Sequence, residues 1–119
     1  MEFFSLSLQS PLSFLGPAEE PKTERLFCFA LNPSEAFRID PEPAKWLSSK
    51  EEALELPAGR YYFTQIRGEV EDQSSLIEMA IELQKEGLWE RLKLGDRLYV
   101  RRLFEDGSPV VQCWRQIVS

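Results

Sequence analysis

Histidine is absent from all 119 residues of this chain. That absence excludes histidine-based triads, most zinc sites and imidazole pH switches. Any catalysis would fall to carboxylates, tyrosine, cysteine, lysine or arginine. Cysteine is scarce: the two residues, Cys28 and Cys113, each sit inside an apolar run. There they read as small buried hydrophobes rather than as a disulfide or metal ligands. No apolar run approaches the roughly 20 residues of a membrane span. The opening Met-Glu-Phe-Phe-Ser-Leu places an acid where a secretion signal would be basic. A cytoplasmic location with no membrane partner is therefore expected. Glycines are scattered as punctuation, with no phosphate-cradling loop, and no cofactor is expected. Basic residues are outnumbered 14 to 20, for a net charge of −6. A general nucleic-acid binder needs a basic face to displace counterions, so nucleic acid is not an expected partner either.

What is present is ordinary for a folded globular chain, at 43% hydrophobic and 29% charged residues. The length fits one domain, 1–119. In Phe3 to Leu8, Phe4, Leu6 and Leu8 alternate with polar residues, the period of a half-buried strand. Gln9 to Arg25 holds Pro11, Pro17 and Pro21, which argue against a long helix. Leu12, Phe14 and Leu15 fit one apolar turn over a core edge. Leu26 to Leu31 is apolar throughout and reads as a central strand. Asn32-Pro33-Ser34 is a turn signal, with Glu35 to Asp40 as the returning strand. Ser48 to Leu54 reads as a short helix, because Ser49 and Glu52 have capping-box spacing.

The second half is more regular. Arg60 to Arg67 is an aromatic strand with Tyr61 and Phe63 on one face and Tyr62 on the other. Asp72 to about Glu90 is the main helix, with a stripe of Leu76, Met79, Ala80 and Leu83 widened by Ile77, Ile81 and Leu88. Ser75 and Glu78 form a second capping-box candidate, and Gly87 a C-terminal cap. Arg97 to Phe104 is a strand, Glu105 to Ser108 a hairpin loop, and Val110 to Val118 the last strand. The expected fold class is α+β: an antiparallel sheet of about six strands, one main helix and one short helix. Two unequal strand–helix–strand–strand-like units are expected, 1–55 degenerate and 56–119 complete.

The run Leu56-Pro57-Ala58-Gly59-Arg60-Tyr61-Tyr62-Phe63-Thr64, followed by Gly68, a helix and a β-hairpin, resembles the second repeat of GyrI-like domains. These are the small-molecule-binding domains of gyrase inhibitory protein and of some multidrug-sensing regulators. The resemblance covers Leu56 to Ser119. It implies a cleft between two repeats, with a glutamate at its floor for cationic ligands. The chain departs from the family in two places. The span Gln9 to Arg25, where the family has a full helix, is broken by prolines. The last strand, Val110 to Val118, holds no carboxylate.

Several side chains are candidates for a binding site. Tyr61, Tyr62, Tyr99 and Trp114 would supply flat walls and cation–π contacts to an aromatic or cationic organic molecule. The alternative is that these rings fill strands because they pack well there. Glu35 shares strand parity with Phe37 and Ile39, so its carboxylate is the candidate for recognising a cation. Arg102 shares parity with Leu98, Val100 and Phe104 and is expected to face inward. It belongs to a group of six cations between Arg91 and Arg115, which otherwise reads as a charged sheet edge and hairpin.

The first reading is non-enzymatic binding of a small organic ligand between the two halves. The second is a protein-interaction module acting through its sheet edge, with the last strand offering that edge to a protein partner or to a second copy in a homodimer. The third, implied by the resemblance to GyrI-like domains, is a small-molecule hydrolase using a Glu/Tyr pair, although no motif places such a pair together and no catalytic residue is assigned.

Overall fold

A computed structural model of the chain describes residues 2–13, 25–31, 47–53, 55–68 and 73–118. Eight strands and one helix occur among them. In order they are β1 (Glu2–Leu8), β2 (Leu12–Ser13), β3 (Arg25–Leu31), β4 (Leu47–Ala53), β5 (Glu55–Leu56), β6 (Gly59–Arg67), α1 (Gln73–Trp89), β7 (Arg97–Glu105) and β8 (Ser108–Gln116). The fold is α+β, one six-stranded sheet with the helix on one face. No helix of the described residues is long and apolar enough to cross a membrane.

The sheet order is β1-β6-β8-β7-β3-β4, antiparallel at every step. The second half forms the middle: β6, β8 and β7 are contiguous, and α1 bridges β6 to β7. The first half flanks it, β1 on one side and the β3–β4 pair on the other. The short strands β2 and β5 form a separate two-stranded ribbon. The β7–β8 hairpin turns on Asp106 and Gly107, with φ of 50° and 79°. Two positive φ angles in succession match a type I′ turn, whose twist suits the flanking strands, and Asp-Gly is its favoured sequence.

Side chains alternate across this sheet and build two cores. On the helix face, Met79, Ala80 and Leu83 of α1 pack with Tyr62, Leu98, Val100, Val111 and Cys113. On the opposite face, Tyr61, Tyr99 and Trp114 pack with Leu26 and Leu56, the latter from the β2–β5 ribbon. The strand Arg60 to Arg67 therefore splits its aromatics between the faces as its period indicates.

Four expectations are corrected. Ser48 to Leu54 does not form the short helix: its described part is β4, paired along β3 from Leu26↔Ala53 to Leu31↔Leu47. A single capped turn has little stability of its own, whereas the open side of β3 offers ladder hydrogen bonds. The expected hairpin return, Glu35 to Asp40, lies outside the described residues. The last strand is no edge, since β8 pairs with β6 on one side and β7 on the other. Gly87 is not the C-terminal cap either. It lies within α1, and a Cβ there would stand 2.8 Å from Leu94 Cδ1. Its missing side chain lets the helix close on the segment after it. The positive φ after the helix belongs to Arg91, at 60°, with Leu92 N–H donating to the Gly87 carbonyl at 2.8 Å. Finally, Leu88 leaves the buried stripe and is 41% exposed.

Candidate functional site

The structure brings three of the six sequence candidates together. Tyr61, Tyr99 and Trp114 meet on the face opposite the helix, where the register places Phe63 across from Trp114 and Trp114 across from Tyr99. Tyr61 meets Tyr99 edge-on at 6.3 Å and Trp114 at 5.8 Å. Phe63 stacks on Trp114 at 4.1 Å, and Phe4 of β1 stacks on Phe63 at 5.1 Å. The polar atoms of Tyr61 and Trp114 are satisfied internally. Tyr61 Oη donates to the Pro57 carbonyl at 2.6 Å, so the Pro-Ala-Gly turn anchors the ring. Trp114 Nε1 donates to Gln112 Oε1, and Gln112 Nε2 donates to Gln65 Oε1, both at 2.9 Å. Burial pushes the Tyr61 hydroxyl up to about 12, with Tyr99 adding to the rise. It also raises Tyr99, which Cys28 raises further and Arg97 opposes. These rings fill one another's surroundings, so the cluster is a packed aromatic core.

Tyr62 and Arg102 lie on the other face and do not join that group. Tyr62 is buried against the helix, stacked on Phe3 at 6.1 Å with planes 8° apart. Its hydroxyl is pushed up to about 12, first by burial and then by Glu86 and Glu90 of α1. Arg102 shares the helix face of β7 with Leu98 and Val100, half-buried, and its Nε has no hydrogen-bond partner among the described residues. Glu35 lies outside the described residues.

The six-cation group is dispersed rather than lined along an edge. Arg91, Lys93 and Arg97 are exposed, while Arg101 and Arg102 are half-buried. Arg115 is completely buried. Its Nε donates to the Gly95 carbonyl at 3.0 Å, and its terminal nitrogens donate to Gln84 Oε1 of α1 and to the same carbonyl. Desolvation pulls this guanidinium down to about 10, and Asp96 opposes the fall. Arg115 thus ties the last strand, the helix and the loop between helix and β7 into one unit.

The remaining feature is the β1 edge. Its outer side pairs with no strand among the described residues, and Leu6 there is 43% exposed. Ser5, Leu6 and Ser7 border a depression completed by Arg60, Tyr61 and Ile117, with a volume of about 120 Å³. That is small beside the roughly 300–1,000 Å³ of ordinary ligand pockets. No cluster of metal-ligating side chains occurs among the described residues.

Set against protein-family models, curated proteins and solved structures, the chain matches none.

Two apolar side chains are more exposed than the sequence pattern indicates. Alternation places Leu6 on the buried side of its strand, because it specifies a face but not how much covers it. Trp89 is 82% exposed at the end of α1. Its signal was available in the helix period: it continues the solvent stripe of Glu78, Glu82 and Lys85, at spacings of three and four.

Proposed function

We propose that this domain is a non-catalytic protein-interaction module that accepts an extended segment of a second polypeptide chain along the outer edge of β1. One observation carries the reading. Among the described residues, the seven-residue β1 ends the sheet with no partner on its outer side, and apart from Glu2 at its start it contains no charge and no proline. Natural edges are blunted by charges, prolines or bulges against such pairing. The opposite edge follows that rule, since β4 carries Lys50, Glu51 and Glu52 in its sequence. An open edge that is free of charge and proline from Phe3 to Leu8 suits strand addition, with backbone hydrogen bonds supplying affinity and side-chain contacts supplying selectivity. The aromatic cluster supports this reading over ligand binding, because Tyr61, Tyr99 and Trp114 are already occupied by one another.

A photo-crosslinking side chain placed at Ser5 tests the proposal in cells. The expected result is a discrete protein adduct that disappears with Leu6→Lys, a charge set on the edge. Absence of adducts, or the same adducts from a probe at Ser49 on the β4 edge, would sink it.

A further inference from the structure

We infer that the segment received by β1 is the β1 strand of a second copy of this chain, paired antiparallel about a two-fold axis at Leu6. The inference rests on the strand-acceptor reading and names its partner. A two-fold contact brings the same patch to itself, so its sequence must be self-complementary. Antiparallel pairing centred on Leu6 sets Leu6 against Leu6, Phe4 against Leu8, and Ser5 against Ser7. Within Phe4 to Leu8 every apolar side chain then meets an apolar one, and each serine meets a serine; Phe3 faces Gln9 beyond the end of the strand.

The faces agree as well as the residues. Phe4, Leu6 and Leu8 lie opposite Phe63, Tyr61 and Gly59, on the face of the aromatic core. Edge pairing about an axis normal to the sheet continues that face into the same face of the second copy. Leu6 is exposed, and Phe4 and Leu8 are only half-buried, so all three retain area to bury. Ser5 and Ser7 are exposed on the helix side, where cross-strand hydroxyl pairs form. Charge does not oppose the contact. Two chains of net charge −6 repel overall, but Phe3 to Leu8 contributes none of that charge. A one-residue shift of the register would set leucines against serines, and of the registers that keep the faces matched the one centred on Leu6 pairs Phe4 to Leu8 in full within the strand.

The test is sedimentation of the full chain across concentrations, with mild oxidation of cysteine variants. A monomer–dimer equilibrium is expected, weakened by about tenfold or more when Leu6→Lys places like charges at the axis. Leu6→Cys should form a disulfide-linked dimer readily. Ser5→Cys should link to Ser7→Cys when the two variants are mixed, and poorly to itself. Near-UV circular dichroism establishes that Leu6→Lys is folded, and Ser7→Lys, at an exposed position, gives a second variant with the same expectation. A chain that stays monomeric and whose Leu6→Cys fails to link overturns the inference. If β1 nevertheless gives adducts with another protein, the strand-acceptor reading stands without self-pairing. If neither occurs, both fall. A dimer insensitive to Leu6→Lys and Ser7→Lys places the contact elsewhere and also overturns the inference.

Discussion

The indole of Trp114 lies flat against the ring of Phe63, with centroids 4.1 Å apart and planes 5° from parallel. The two residues are direct cross-strand partners on β8 and β6. Phe4 extends the stack into β1, so the edge strand is attached to the sheet interior through three rings. Rigidity of an edge matters for strand addition, because a preorganised acceptor loses less entropy on pairing.

Removing this stack should be costly. Trp114→Ala is expected to lower stability by about 3–5 kcal/mol, the usual range for truncating a buried aromatic. Urea denaturation of Phe63→Leu, Trp114→Leu and the double variant should give a coupling of about 0.5–1.5 kcal/mol. Strict additivity would mean that the stacking contributes nothing beyond burial.

Alkaline pH should destabilise the fold, and the sign follows from three acids. Burial raises the Cys113 thiol from 9.0 to about 12, and Tyr61 and Tyr62 are raised from 10.0 to about 12. In each case the unfolded chain releases its proton first. Their contribution is complete below the unfolded values and is lost as pH rises, from 9 for the thiol and from 10 for the phenols. Each group removes about 1.4 kcal/mol per pH unit within its window. Arg115 acts in the opposite sense, because its folded value is depressed from 12.5 to about 10 and its neutralisation relieves a buried charge. Three losses outweigh one gain, so urea midpoints should fall steadily between pH 9 and 11. Cys113→Ala should delay the onset, and Tyr62→Phe should flatten the slope above pH 10. Midpoints that stay level to pH 11 would contradict this account.

Arg115 offers a third check. Arg115→Met should destabilise the protein by about 2–4 kcal/mol, because it orphans the Gln84 amide oxygen and the Gly95 carbonyl in the interior. Arg115→Lys should recover only part of that loss, since a single ammonium lacks the planar fork that reaches both acceptors. Adding Gln84→Met to Arg115→Met should return about 1 kcal/mol by removing one orphaned group. Thermal or urea unfolding of the four proteins measures each step. Equal stability of Arg115→Met and the parent would mean that the network adds nothing to the fold.

The chain alone determines most of its local structure. Alternation places Tyr61 and Phe63 on one face of β6 and Tyr62 on the other. The 3.6-residue period places Met79, Ala80 and Leu83 inward on α1, and Asp106-Gly107 marks the hairpin. These features depend on near neighbours, which a sequence displays directly. The rest depends on which distant strands pair. Ser48 to Glu52 is polar at every position, so the open side of β3, not its own propensity, makes it a strand. Arg115 reads as one cation among several until β8 is inserted beneath α1, where it must find Gln84 and Gly95. Leu6 carries the same alternation as Phe4 and Leu8, yet it is the exposed one, whereas Phe4 stacks on Phe63 and Leu8 packs against the aromatic core. Sheet order is set by long-range hydrogen bonding and by burial summed over both faces. For that reason the edge proposed as the functional surface becomes visible only once all six strands are in place.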